Sequence, residues 1–317
     1  MGLVSSLASR GAVGERGFVP RRIVHTVLVA ALALSSCERA PAPSPAPAKT
    51  PEPAPAEPTP APTPAPAPTP AVPAIPEPDV DLQEIEGVAY LEVVTGGADA
   101  EAELPMIVAL HGNTAYPSLM KYALIDDPGT AKHPALVFDA PARCIFLRGT
   151  ELVGPEGHAR WFSITAKEAM SSEAELEALS AQMKDVSGKV AKAVEALAQR
   201  RPTRGKPIVT GHSQGGILTF ALAIEHGELF SAAYPVSGWL PRPLWPDKRE
   251  ASVPPIVALH GTDDDVVSYA QSKLALDHLE KLGYDVTRRD FAGLGHALSP
   301  MLAKLRELLT AACGALE

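Results

Sequence analysis

Several things are scarce in this chain, and each scarcity closes a class of function. Cysteine occurs three times in 317 residues, too few for a fold built on disulfides. No grouping of Cys, His and carboxylates has metal-ligand spacing, so no metal is expected. No Gly-x-Gly-x-x-Gly follows an early strand pattern, which argues against a dinucleotide-binding sheet. The N-terminal apolar run at 23–34, interrupted by His25 and Thr26, is too short for an ordinary spanning helix. Basic charge is also in deficit. Formal net charge is −9, and beyond residue 78 there are 22 basic against 32 acidic residues, so nucleic acid is not an expected partner.

Proline, by contrast, is abundant and unevenly placed. Residues 38–78 hold 17 of the 33 prolines, mostly alternating with alanine or threonine. Such a stretch buries no core and favours extended polyproline geometry. At about 3.1 Å per residue it would reach roughly 125 Å as a semi-rigid spacer. Before it stands a leader with Arg10, Arg16, Arg21 and Arg22, then the apolar run, then Leu34-Ser35-Ser36-Cys37. This order reads as an export signal, and its end resembles a bacterial lipobox, cut before a cysteine that is then lipidated. A plain signal peptide with an incidental cysteine is the alternative. The expected organisation is therefore a lipoprotein signal at 1–36, a Pro/Ala-rich linker at 37–78 and one domain at 79–317. Lipid on Cys37 would hold that domain at a membrane of the cell envelope, with the outer membrane preferred over the inner. Cys144 and Cys313 are then expected to be buried small hydrophobes, with a disulfide between them, which export permits, as the alternative.

Within the domain, apolar runs of strand length alternate with helical patterns, the signature of an α/β fold with a mostly parallel sheet. Strands are expected at 88–94, 106–111, 143–147, 207–210, 232–236, 255–260 and 285–291. The hexapeptide Ile107-Val108-Ala109-Leu110-His111-Gly112 recurs letter for letter at 256–261, as two central strands with tight exits would require. Ser172 with Glu175 resembles a capping box opening a long helix that Arg200-Arg201-Pro202 ends. Ser268 opens another helix, with Leu274, Leu279 and Leu282 inward and Gly283 as its stop. Ser299-Pro300 opens the last.

The chemistry centres on Gly211-His212-Ser213-Gln214-Gly215-Gly216. A serine between spaced glycines, after a strand pattern and before a helix pattern, reads as a nucleophile elbow. Bulky residues at 211 and 215 would clash in so sharp a turn. A serine hydroxyl needs an imidazole to take its proton and a carboxylate to orient that imidazole. The chain offers both further on, at expected strand ends. One is the acidic turn Asp263-Asp264-Asp265, and the other is His296 within Gly293-Leu294-Gly295-His296. The order Ser, Asp, His is the one an α/β-hydrolase fold uses. His111, His212 and His260 each lie beside a motif glycine and are expected to bond strand-end carbonyls.

Residues 104–312 resemble the phospholipase/carboxylesterase family of α/β-hydrolases. The resemblance rests on Leu110-His111-Gly112, Ile145-Phe146-Leu147-Arg148-Gly149, Trp161-Phe162, the 211–216 motif, Val236-Ser237-Gly238-Trp239-Leu240-Pro241, His260-Gly261-x-x-Asp264-x-x-Val267 and Gly295-His296. It implies Ser213 as nucleophile, Asp264 as the orienting acid, His296 as general base, and backbone N–H groups of Gln214 and Asn113 as the oxyanion hole. It implies no cofactor, and small esters or lysophospholipid-like lipids as substrates. Trp161, Phe162, Trp239 and Leu240 are expected to form an acyl pocket, with ordinary loop packing as the alternative. Where relatives have a glycine-rich turn after His-Gly, this chain reads Asn113-Thr114-Ala115-Tyr116-Pro117. A non-catalytic surface lipoprotein on the same scaffold, or a serine peptidase of the same fold, are the other functions considered. The sequence leaves the oligomeric state open.

Overall fold

The computed structural model describes residues 82–126, 138–154 and 157–316. The leader at 1–36, the linker at 37–78 and Cys37 lie outside the described residues. An eight-stranded sheet organises the domain, in the order β1-β2-β4-β3-β7-β8-β9-β10. Its strands are β1 (Gln83–Ile85), β2 (Val88–Val94), β3 (Met106–Leu110), β4 (Arg143–Leu147), β7 (Ile208–His212), β8 (Ala232–Val236), β9 (Ile256–Gly261) and β10 (Val286–Phe291). β1 and β2 join antiparallel at one edge, and every pairing from β4 to β10 is parallel. β5 (Glu151–Leu152) and β6 (Ala159–Arg160) form a separate small ribbon.

Parallel strands of this kind are covered on both faces, which is why β3, β4 and β8 are buried at every position. Alternate residues feed two cores. Val108, Leu110, Ile145 and Val209 face one, with α3 (Glu173–Arg200), α4 (Gln214–Glu225) and α5 (Tyr269–Lys281) packed over them. Ile107, Ala109, Cys144, Phe146 and Ile208 face the other, covered by α1 (Pro117–Leu124) and α6 (Leu302–Gly314). The result is a three-layer α/β-hydrolase architecture with a mostly parallel central sheet. Cys144 and Cys313 are buried and form no disulfide, and burial pushes the Cys144 thiol up to about 12. Among the described residues no helix is long and apolar enough to cross a membrane.

Expected and observed elements differ in instructive places. Ser172 caps α3 by accepting the Glu175 N–H at 3.2 Å. The reciprocal capping box lies instead at Thr165 and Glu168, opening the short α2 (Ala166–Ala169). On α5 the buried stripe is Ser272, Ala275, Leu276 and Leu279, so Leu274 faces outward at 43% exposure. Ser299-Pro300 opens a 3-10 turn before α6 rather than α6 itself. α1 has no side-chain cap, and only Pro117 at its first turn marks its start. Its far end is held by α6. Arg306 donates to the Leu124 and Ala123 carbonyls at 2.7 and 2.6 Å, occupying carbonyls that a helix end leaves unpaired.

One buried ion network fastens the antiparallel edge. Glu92 on β2 accepts from Arg143 at the start of β4 and from Arg201 just beyond α3, the latter through both its Nε and Nη2. The Arg143 side chain is 2% exposed. Removing the carboxylate would strand that guanidinium in the interior, where an uncompensated charge is costly. Glu92→Gln is therefore expected to lower the unfolding free energy by about 3 kcal/mol or more. Urea unfolding of wild type and variant checks this, and a loss below 1 kcal/mol would contradict it.

Candidate active site

Three strand ends converge on Ser213. The residue joins β7 to α4 with φ 59° and ψ −118°, a left-handed backbone that a non-glycine residue adopts only under constraint. The constraint is crowding. A Cβ at Gly211 would stand 2.5 Å from the Gly215 carbonyl, and one at Gly215 would stand 2.2 Å from the Leu110 carbonyl oxygen. Only glycine at both positions lets the turn close against the end of β3. The Ser213 N–H donates to Val236 O at 3.0 Å and its carbonyl accepts from Ile217 at 2.9 Å, which pins the elbow between β8 and α4.

The structure brings Ser213, His296 and Asp264 into one chain of hydrogen bonds. His296 Nδ1 lies 2.8 Å from Asp264 Oδ2, and His296 Nε2 lies 2.9 Å from Ser213 Oγ. An ionised carboxylate only accepts, so Nδ1 carries the proton and Nε2 presents its lone pair to the serine hydroxyl. Asp264 is buried, and its Oδ1 accepts the N–H groups of Val266 and Val267 at 3.0 and 2.8 Å. Burial alone would raise its pKa. Hydrogen bonds from His260 and His296, with the Val267 N–H, outweigh that and hold the carboxyl well below the usual range. Asp263 and Asp265, its neighbours in sequence, are exposed.

Gln214 is the first residue of α4, where N–H groups have no intrahelical partner. Asn113 and Ser213 together line both cavities at the site. The turn after Asn113 obtains its geometry without glycine, because Thr114 takes φ 52°. Ala115 stabilises that conformation by exchanging two backbone hydrogen bonds with Ala159, at 3.1 and 2.8 Å.

The residues expected to form the acyl pocket do something else. Trp161, Phe162, Trp239 and Leu240 are at most 2% exposed and line neither cavity beside Ser213. Trp161 and Phe162 are scaffold. The Trp161 indole N–H donates to His111 O at 2.8 Å, the Trp161 backbone N–H donates to Gln214 Oε1 at 3.1 Å, and Gln214 Nε2 donates to Phe162 O at 2.9 Å. They lock the loop after β3 to the first residue of α4. Trp239 and Leu240 belong to the core under that face of the sheet.

The walls around Ser213 come from elements with weak sequence signals. A cavity of about 350 Å³ has apolar walls from Ala115, Leu119, Met120, Ala123, Val266 and Leu298, and the uncapped α1 supplies half of these. A second, of about 250 Å³, carries Thr165, Ala166, Lys167, Ile217, Asp265 and Val267. Ser213, Asn113 and Val266 border both. One chamber is apolar, the other carries charge of both signs. Among the described residues no group of three or more His, Cys, Asp or Glu side chains could hold a metal.

Three further histidines ring the site. His111 donates from Nδ1 to Gly112 O at 2.7 Å and accepts the Gly149 N–H on Nε2 at 2.9 Å. His260 bonds the Val267 carbonyl and also approaches Asp264, a carboxylate contact that its sequence position did not suggest. His212 lies beside the His296 ring, with centroids 5.0 Å apart, and hydrogen-bonds the His296 backbone. Burial pushes both His111 and His212 down to about 4. In the unfolded chain both would titrate near 6.5. Between these values the unfolded state binds more protons, so stability is complete above about pH 6.5 and falls as pH drops towards 4. Urea unfolding across this range should show the midpoint falling with acidification, and His111→Asn should flatten the slope. A midpoint constant from pH 7 to pH 4.5 would count against buried neutral rings.

Comparison with known proteins adds the lineage. A model of the phospholipase/carboxylesterase family matches residues 98–311, more than half of the chain. The chain is 33% identical over 94 residues to the carboxylesterase SOBER1 of Arabidopsis thaliana, covering 29% of this chain and 41% of that protein. It is 33% identical over 135 residues to a probable carboxylesterase of Oryza sativa subsp. japonica, covering 39% and 50%. The chain thus spans at most half the length of these curated relatives. In structure it is similar to the acyl-protein thioesterase 2 of Zea mays, with a TM-score of 0.51 at 23% identity, over 71% of this chain and 99% of that one. With the elbow, the sheet order and the family match in agreement, the chain belongs to the phospholipase/carboxylesterase family of α/β-hydrolases.

Proposed function

We propose that this protein is a serine carboxylic-ester hydrolase that works through an acyl-enzyme. The observation that carries the reading is the unbroken path from Asp264 Oδ2 through both nitrogens of His296 to Ser213 Oγ, at 2.8 and 2.9 Å. Ser213 Oγ attacks the ester carbonyl while His296 Nε2 takes its proton, and Asp264 stabilises the imidazolium that forms. The carbonyl oxygen, now an oxyanion, accepts from the N–H groups of Gln214 and Asn113. Such donors are worth about 3–4 kcal/mol each when aimed at the developing charge. His296 then returns the proton to the leaving alkoxide. A water, deprotonated by the same imidazole, attacks the acyl-enzyme, and the acid departs as Ser213 recovers its proton.

The chambers suggest how an ester lies across the serine. The apolar one suits the acyl chain, where each buried methylene adds about 0.8 kcal/mol. The charged one suits the alcohol. A volume of about 350 Å³ favours short- to medium-chain acids. In this reading the leader and linker export the domain and Cys37 tethers it by lipid to the cell envelope, with the outer membrane preferred.

Two experiments test the proposal. With a graded series of p-nitrophenyl esters, Ser213→Ala should lower kcat by about a thousandfold or more. Equal rates for wild type and variant would sink it. In the same series Leu119→Trp should shorten the preferred acyl chain while acetate ester turnover holds. Separately, a bacterial host grown with a labelled fatty acid should label the wild-type chain and not Cys37→Ser. Label on both, or on neither, would remove the tether from the reading.

A further inference from the structure

The Asp264 carboxylate has one more side-chain donor than the chemistry of Ser213 and His296 requires. Val266 and Val267 N–H groups occupy Oδ1, and His296 Nδ1 occupies Oδ2. His260, at the end of β9 and buried, brings its Nε2 to 3.2 Å from the same Oδ2 and 3.0 Å from Val267 O. Both neighbours of that nitrogen only accept, so Nε2 carries the proton and Nδ1 is a bare lone pair. Nδ1 is buried with no hydrogen-bond partner among the described residues, an arrangement that costs stability. The copy of this hexapeptide in β3 shows that the cost is avoidable, since His111 at the matching position satisfies both nitrogens. The ring at 260 is oriented towards the acceptors at the expense of its other nitrogen.

We propose that His260 is a positioning residue for the reaction at Ser213: its Nε2–H fixes the Asp264 carboxylate and draws off part of the charge that Asp264 presents to His296. The inference rests on the serine-hydrolase reading above. With two N–H groups on Oδ2, the carboxylate is a weaker acceptor for each. Without His260 the whole charge of that oxygen falls on His296, whose imidazolium then holds its proton to higher pH. Other titratable groups face this cluster. His212 lies against the His296 ring, Tyr269 packs edge-on to His260 at 5.7 Å with Asp290 bonded to it, Asp263 and Asp265 flank the turn, and Lys167 lies across the charged chamber. None of these changes in the variants below.

The test compares His260→Phe and His260→Gln in the full chain, reading kcat and KM for one p-nitrophenyl ester across pH. Phenylalanine keeps a ring against Tyr269 and has no donor, whereas the glutamine amide reaches the position of Nε2. His260→Phe should move the acid limb of kcat/KM up by about half a pH unit or more, a roughly threefold loss on that limb, with KM unchanged. His260→Gln should bring the limb back. An acid limb that stays in place in His260→Phe, whatever happens to kcat, would falsify the assignment. If His260→Phe does not fold, nitrogen-15 spectra of the wild type decide. A protonated Nε2 with bare Nδ1 at His260 supports it, and the opposite tautomer overturns it. The far-downfield proton shared by His296 and Asp264 needs no turnover and should shift in His260→Phe. Failure of Ser213→Ala to lose activity would therefore sink the hydrolase reading alone.

Discussion

Everything at this site hangs on one close approach of backbone to backbone. The turn at 211–215 closes against the end of β3, so near that a single Cβ on Gly215 would overlap Leu110 O and stand 2.7 Å from His111 O. That contact forces Ser213 into its left-handed conformation and so lifts its Oγ out of the sheet. It also fixes where the loop after β3 begins, and hence where Asn113 faces the serine. The positions of Ser213 and of Asn113 beside it are thus set by the same crossing of two chains. The strain at Ser213, of order 1–3 kcal/mol, persists because β8 and α4 hold the backbone on either side.

The second constraint is the supply of hydrogen bonds to the segments that this crossing leaves irregular. Thr114 takes a conformation disfavoured for a β-branched residue, and Ala115 compensates through its exchange with Ala159. Trp161 and Gln214 then tie that ribbon to the elbow. This explains why two large aromatic residues next to the site are not in the pocket. The Trp161 indole N–H satisfies the His111 carbonyl, while its ring and that of Phe162 fill the core on which the loops rest. Without glycine at 114 the turn needs such bracing.

Much of this was legible in the sequence because it follows from local rules. Central strands such as 232–236 are buried on both faces and therefore read as unbroken apolar runs. Ser213, Asp264 and His296 could be found because each lies at a strand exit with its own composition signal of glycine or acid. The chamber walls could not. α1 begins with no capping side chain, and its far end is set by Arg306, 182 residues away in sequence from Leu124. Leu119 and Met120 consequently carry no local mark as site residues. Trp161 and Trp239 misled for a related reason. Large aromatics near a motif look like a pocket, and only tertiary packing reveals that they lie beneath it. On α5 Leu274 departs from expectation by the same logic, since it has the hydropathy of a core residue and the angular position of an exposed one, while Leu279 is buried as expected.

The two identical hexapeptides show how far local sequence can determine chemistry. Both strands run into His-Gly with the histidine buried, and each ring hydrogen-bonds a backbone carbonyl. What separates them is the next four residues. After His111 the chain leaves in a braced turn, and Gly149 reaches the second nitrogen. After His260 it folds back through Asp264, so the carboxylate arrives where a partner for Nδ1 does not. Tertiary neighbours thus make one histidine a strut and give the other a share in the carboxylate that orients His296. The same step accounts for Asp264 among three successive aspartates. Only its carboxylate is turned inward to the Val266 and Val267 amides, where hydrogen bonds outweigh the penalty of burial and keep it ionised.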